Sequence, residues 1–484
     1  MVAVRGLDRA LGFVSTLVLV RILAPEDFGL VAMGTSVLVL LEMLSTFGFD
    51  AALIHRASSE RIHYDTAWTF NVLIGFTVAL GLVLLAYPAA RFYGEPRVRD
   101  VTLALAAAPI IQGLENIGVV AFRKELNFRA EFMWLTGRRL VGLALVLPLA
   151  FLLRSYWALV AGAVFGRIAG VLLSYLAHPY RPRFSLTGRG DLLGFSKWVA
   201  TVNILAFFLQ RSSDLIIGRT LGSGPLGIYS ISTEVASLPT TELVAPINRA
   251  VYPAFAKISR DRAQLKQEYL AVIGIIAFFA IPAAMCLAAV GAPVVLLLLG
   301  EKWLQAVPLI EALAFLGAVQ FPYTNAYSVF LAVGKPEHQV KVHCIHVPVL
   351  VGLMILLASR YGIVGAAWAT VITGFLVVPL SLSFVFRELG IRVSEFLRVV
   401  WRPASAAVAM YAAMAAAGHL AVAPGFLATL ARLAMLVATG VAVYVFVVLS
   451  LWWSVGAPPA AERRLLTQGR DVFRRRDVNE RVVS

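Results

Sequence analysis

The chain has 484 residues, 60% of them hydrophobic and only 14% charged, with a formal net charge of +15. A soluble chain of this length carries about 25% charge, and the apolar residues here come in runs of about 20, the length that crosses a bilayer core of roughly 30 Å. The runs do not alternate every second residue, which excludes a transmembrane β-barrel, and the fold class is all-α polytopic membrane protein.

Fourteen spans are predicted in chain order, at about 5–23, 27–49, 66–87, 99–121, 135–153, 156–177, 193–214, 224–246, 267–290, 305–333, 338–358, 361–386, 398–420 and 426–453. The first carries Arg5, Asp8 and Arg9 and leads directly into the second, so no cleavable signal peptide is evident. The connecting loops are short, and only residues 454–484 form a tail of any length. That tail, AERRLLTQGRDVFRRRDV, reads either as a basic amphipathic helix on anionic lipid or as a disordered segment.

With the amino terminus placed inside, about three-quarters of the 42 Lys and Arg residues fall on the cytoplasmic side. Both termini are then cytoplasmic. The basic charge marks loops beside anionic membrane lipids, and nucleic acid is not a partner. The two cysteines, Cys286 and Cys344, sit in apolar runs and read as small core residues.

RILAPEDFGL (21–30) joins spans 1 and 2, and RTLGSGPLGI (219–228) joins spans 7 and 8. Both read R-x-L, five further residues, then Gly and an aliphatic residue. Six spans separate them, an even number, so both face the same side, as in a parallel repeat about the membrane normal. SYWALVAGA entering span 6 and RYGIVGAAWA entering span 12 are a weaker echo. The predicted organisation is therefore two pseudo-symmetric six-helix lobes, 1–192 and 193–390, an added helix pair at 391–453, and the basic tail 454–484. Gly29 and Gly227 fit tight turns or close helix contacts.

Charges inside spans cost about 2.5–3.5 kcal/mol each at a helix centre, so those that remain are candidates for a wet cavity or for mutual pairing. With the neutral amides on the same spans, the candidates are Arg5, Asp8, Arg9, Glu42, Gln112, Glu115, Asn116, Arg167, Asn203, Gln210, Arg211, Asp214, Glu234, Glu242, Glu311, Gln320 and Asn325. Arg211 and Asp214 share a helix face at i, i+3. Arg9, Arg167, Arg211 and Arg219 are the candidate substrate-binding residues, because a guanidinium stays charged and donates two hydrogen bonds to phosphate. Glu42, Glu115, Glu234 and Glu311 are candidates for coupling to H+ or Na+, since a carboxylate in a low dielectric gains proton affinity. No cofactor is expected. H-C-I-H at 343–346 is weak as a metal site and reads better as two interface histidines. No Walker loop and no G-x-S-x-G elbow occurs.

RILAPEDFGLVAM, ALIHR at 52–56, FRKELNFR at 122–129, RTLGSGPLGIYSIS at 219–232, YPAFAKISRD at 252–261 and GEKWLQAVPLI at 300–310 together resemble the bacterial polysaccharide transporter family. These are oligosaccharide-lipid flippases, in the larger group that holds lipid II flippases and multidrug and toxin extrusion pumps. The resemblance runs in order along nearly the whole chain; only the amino terminus departs, with few residues before span 1. It implies a two-lobed helical protein of the bacterial inner membrane. Such a protein moves undecaprenyl-diphosphate-linked sugar units outward for exopolysaccharide or lipopolysaccharide O-antigen assembly, with polysaccharide polymerase and export machinery as partners. An ion-coupled multidrug exporter of related fold is the alternative. A membrane-embedded polymerase or ligase is the third reading, disfavoured by the short outer loops.

Overall fold

The computed structural model describes residues 2–45, 53, 61–125, 127–187, 196–418 and 425–455. The side chains of residues 2–10 and 196–204, and several between 239 and 252, fall outside that description, as do most of the ALIHR motif and the basic tail beyond residue 455.

Every regular element among the described residues is helical. The chain runs α1 (Val2–Ile22), α2 (Pro25–Ser45), α3 (Arg61–Tyr93), α4 (Arg97–Leu105), α5 (Ala107–Gly113), α6 (Val120–Lys124), α7 (Phe128–Leu153) and α8 (Trp157–Ala177). It continues with α9 (Ser196–Leu221), α10 (Ser223–Ile258), α11 (Arg262–Ala289), α12 (Val307–Ala332), α13 (Glu337–Leu389), α14 (Val393–Gly418) and α15 (Phe426–Ser454). Nine helical segments among the described residues are long and apolar enough to cross a membrane. The chain is a multi-pass membrane protein. On α3 the outward face carries Phe76, Leu80, Leu84 and Tyr87, while Gly75, Ala79 and Ala86 are buried. Large apolar groups outside and small ones at the contacts is the pattern of a helix solvated by lipid.

Three predicted spans are built differently from simple helices. Span 4 is broken into α4, α5, a single 3-10 turn at Ile117–Val119, and α6. The break is at Asn116, whose backbone is extended and whose carboxamide oxygen accepts from Gly118 N at 2.9 Å. Its amide nitrogen donates to the carbonyls of His178 (3.2 Å) and Tyr180 (2.8 Å). Spans 11 and 12 form the 53-residue α13, which is interrupted at Gly362 (φ 61°, ψ −146°). A Cβ at Gly365 would strike the carbonyl oxygen of Leu357, eight residues back. In a straight helix those residues stand about 12 Å apart, so the chain reverses direction at Gly362, and one helical label covers two spans. That backbone conformation is open to glycine almost alone. Gly362→Ala is expected to cost about 1–3 kcal/mol, read as a lower unfolding temperature of the purified protein in detergent.

By contact density the chain divides into two compact units, one of residues 1–231 and 347–369, the other of residues 232–346 and 370–484. In the first, α7 packs along α8, α3 on α4 and α5, and α9 on α2. In the second, α11 packs against both α12 and α14, and α14 against α15. Between α11 and α12 the chain makes three short helical pieces, Gly291–Val294, Val295–Leu299 and Glu301–Ala306. Trp303 of the GEKWLQAVPLI motif is fully buried there. Cys286 is half-buried, whereas Cys344 is exposed rather than a core residue, because hydropathy of a span does not say which face looks inward.

The repeated motif has a structural meaning within the first unit. α2 starts at Pro25, and the Asp27 carboxylate accepts from Ala24 N at 2.9 Å, which ties off the turn out of α1. The other oxygen of Asp27 accepts from Tyr156 N, also at 2.9 Å, fastening this turn to the α7–α8 turn. Gly29 lies against the backbone of Ser223, and Gly227 against the backbone of Pro25. The two copies thus cross at their glycines, each opposite the first turn of the other's helix.

An extended strap, residues 178–187, leads from α8 toward α9 along the start of α3. Asp65 accepts from the Tyr180 hydroxyl and from Arg183 N, both at 2.7 Å, and Thr69 Oγ1 accepts from Ser185 N at 2.9 Å. Burial and the bond to Asp65 push the Tyr180 hydroxyl above its ordinary pKa, so it remains a donor.

Candidate functional site

The α7–α8 contact is lined by small residues. On α8, Gly162, Gly166 and Gly170 recur every fourth residue, and Gly142 of α7 lies opposite Gly166. This stripe brings the two backbones together and leaves room for long side chains to lie across it. The Arg138 stem crosses Gly170, where a Cβ would stand 2.6 Å from its Cδ.

Around this contact, arginines and carboxylates collect. Arg167 Nη2 donates to Glu42 Oε1 at 3.0 Å, joining α8 to α2. Arg138 Nη1 is 3.7 Å from Glu115 Oε2, and its guanidinium sits over the Trp134 ring, 5.7 Å from the centroid. The Arg139 guanidinium packs against Gly12 of α1. Arg138 and Arg167 are near enough to repel one another. Three arginines and two carboxylates thus lie together among apolar helices. Both ion pairs are partly open, with Arg167 and Glu42 exposed at 25% and 32%, so their partners are exchangeable.

Arg167 and Glu42, read separately as a substrate residue and an ion-coupling residue, form one ion pair. Arg211 pairs with Asp214 on its own helix at 2.8 Å, as the i, i+3 spacing predicts. Nearby the hydroxyls of Tyr93 and Ser36 are bonded at 2.7 Å. Arg219 lies two turns further along α9, with its guanidinium 5.9 Å from the centre of the Phe92 ring. The side chain of Arg9 lies outside the described residues, although its backbone belongs to α1. In the second unit, Glu234 is exposed on α10. Glu311 is exposed on α12, beside Gly291, where a Cβ would stand 2.9 Å from its Cγ.

Arg138 and Arg139 are not among the candidates read from the sequence, since a span 5 beginning at about 135 leaves them at its cytoplasmic edge. In the structure α7 starts at Phe128, which puts Arg138 about 15 Å into the helix. The available signal was the adjacent arginine pair inside a helix preceded by Asn127, which caps it through Ala130 N at 3.2 Å.

A family model described as "Polysaccharide biosynthesis protein" matches residues 18–308. Similar proteins include the lipopolysaccharide biosynthesis protein WzxC of Escherichia coli (strain K12), 26% identical over 404 residues, covering 81% of this chain and 81% of that one. The teichuronic acid biosynthesis protein TuaB of Bacillus subtilis (strain 168) is 24% identical over 448 residues, covering 89% of each chain. Among solved structures, the inward closed conformation of the lipid II flippase MurJ aligns with a TM-score of 0.75 at 13% identity, over 94% of this chain and 98% of that one. An inward-facing multidrug resistance MATE family transporter aligns with a TM-score of 0.63 at 14% identity, over 79% and 94%. At these identities the two structures speak to fold.

Proposed function

The chain belongs to the polysaccharide biosynthesis protein family, and from that premise we propose that it is a flippase. It moves undecaprenyl-diphosphate-linked oligosaccharide units from the cytoplasmic to the outer leaflet of the bacterial inner membrane, for exopolysaccharide or lipopolysaccharide assembly. It is a membrane transporter, and both termini are cytoplasmic, a reading supported by the asymmetry of its Lys and Arg residues.

The observation that carries this reading is the cluster of Arg138, Arg139 and Arg167 within apolar helices, with Glu42 and Glu115 as counter-ions. A diphosphate offers each guanidinium a bidentate acceptor. It takes the place of the carboxylates, so the arginines need not be desolvated unpaired at any stage. The displaced Glu42 and Glu115 are then free to take a proton or Na+, which links cargo binding to an ion gradient. Glu234 and Glu311 are the further coupling candidates. Arg9, Arg211 and Arg219 are the further candidates for the cargo's charge, and the two lobes, 1–192 and 193–390, with the pair 391–453 remain the proposed repeat organisation. The polymerase and export machinery that use the outward-facing product are the proposed partners.

A deletion strain tests the reading. Its cells are expected to build the lipid-linked unit, retain it where outside glycosidases do not reach, and lose surface or secreted polysaccharide. Normal polymer output with altered drug tolerance would assign the chain instead to ion-coupled multidrug export, in a strain holding no second flippase.

A further inference from the structure

In the second unit, α12 and the opening turns of α13, as far as His346, carry uncharged polar and aromatic side chains at helical spacing. Gln320, Tyr323 and Tyr327 fall at i, i+3 and i+7 on α12; Gln339, His343 and His346 fall at i, i+4 and i+7 on α13. Tyr323 is where the two rows meet. The Gln339 amide nitrogen donates to the Tyr323 hydroxyl at 3.3 Å and lies 2.6 Å from His343 Nε2. The His346 ring stands edge-on to the Tyr323 ring, with centroids 6.2 Å apart and planes at 76°. Gly374, on the returning arm of α13, leaves room for the Gln320 amide; a Cβ there would stand 3.3 Å from its nitrogen.

Tyr323, Gln339, His343 and His346 are all half-buried. Gln339 Oε1 and His346 Nδ1 are inaccessible and have no hydrogen-bond partner among the described residues. Unpaired polar atoms are costly in any interior and more so inside a bilayer. Two of them on one face, beside a tyrosine hydroxyl whose proton is still available, are hydrogen-bonding groups that the packing of α12 on α13 leaves unpaired and that a slight parting of the two half-buried rows would present to a ligand.

The chemistry of the missing partner follows from what lines the surface. No member carries a fixed charge, so an anion gains little there. Donors and acceptors alternate, which suits hydroxyl groups, each of which gives one hydrogen bond and takes others. The rings of Tyr323, Tyr327 and His346 offer flat apolar faces for the C–H side of a pyranose. Each row spans about 10 Å along its helix, the scale of a short oligosaccharide. We propose that Tyr323, Gln339, His343 and His346, flanked by Gln320 and Tyr327, form the subsite that recognises the sugar head group of the cargo. This rests on the flippase reading above. It assigns sugar discrimination to neutral side chains rather than to arginines.

The test uses the full chain in lipid nanodiscs and two probes. One is undecaprenyl diphosphate without sugar; the other is the sugar-bearing lipid extracted from the deletion strain. Dissociation constants are measured by native mass spectrometry. The wild type is expected to bind the sugar-bearing lipid about tenfold tighter, equal to about 1.4 kcal/mol. Gln339→Leu and His343→Leu should bring that ratio close to one while leaving the sugar-free affinity unchanged. Tyr323→Phe keeps the ring and the packing, and should lower the ratio severalfold even if a leucine variant fails to fold. A wild type that does not distinguish the two lipids overturns the subsite. So do variants that weaken both lipids equally, the mark of a purely structural role, or a Tyr323→Phe ratio equal to wild type. A wild type that binds neither lipid overturns the flippase reading itself.

Discussion

Valine at Gly29 or at Gly227 is expected to remove folded protein from the membrane. A Cβ at either position meets a backbone carbonyl, of Ser223 in one case and of Pro25 in the other. Overpacking against side chains costs about 1–3 kcal/mol because the neighbours can rotate away. A carbonyl in the first turn of a helix cannot rotate, so relief requires α2 and α10 to separate. We therefore expect a loss of at least about 3 kcal/mol, a large share of the roughly 5–15 kcal/mol that holds an ordinary domain together. Fluorescence-detected size exclusion of detergent extracts reads this directly: the monodisperse peak should disappear in either variant. Gly352→Ala is the control, since nothing lies within 4 Å of its added Cβ. A wild-type elution profile for Gly29→Val would show that the crossing is not held as described.

The second large effect concerns Arg167. Replacement by glutamate should reduce polysaccharide output at least about tenfold per molecule of transporter, because it removes a guanidinium proposed to hydrogen-bond the cargo's phosphate and sets two carboxylates face to face at Glu42. Loss of the charged hydrogen bond to Glu42 should also cost about 1–3 kcal/mol of stability. Glu42→Arg combined with Arg167→Glu restores the ion pair with its ends exchanged. That double variant should regain stability but not transport, since the guanidinium then projects from α2 rather than α8. Arg167→Lys should fall between, keeping the charge and losing the two-point geometry. Normal output from Arg167→Gln at normal abundance would remove this residue from the cargo path.

Much of the molecule was legible before any coordinates. The length and apolarity of each run are local properties, so the helical spans of a bilayer protein can be read one at a time. The likeness of the motifs at Gly29 and Gly227 was legible, as was the i, i+3 ion pair of Arg211 and Asp214, because both depend on spacing alone. What spacing does not contain, the tertiary structure decided. Glu42 and Arg167 are 125 positions apart, and only the packing of α8 on α2 turns two separate candidates into one pair. Arg138 looked like the end of a loop because charge ends a hydropathy run. It is accommodated inside α7 because Gly170 of the neighbouring helix leaves space for its stem. Asn116 breaks an apolar stretch because two distant carbonyls, of His178 and Tyr180, and the nearby Gly118 N–H converge on its carboxamide. In lipid each polar group must find a partner within the protein. The sequence alone determined which residues are polar and which runs cross the bilayer, and only the fold could decide how deep a residue such as Arg138 lies and which partners it meets.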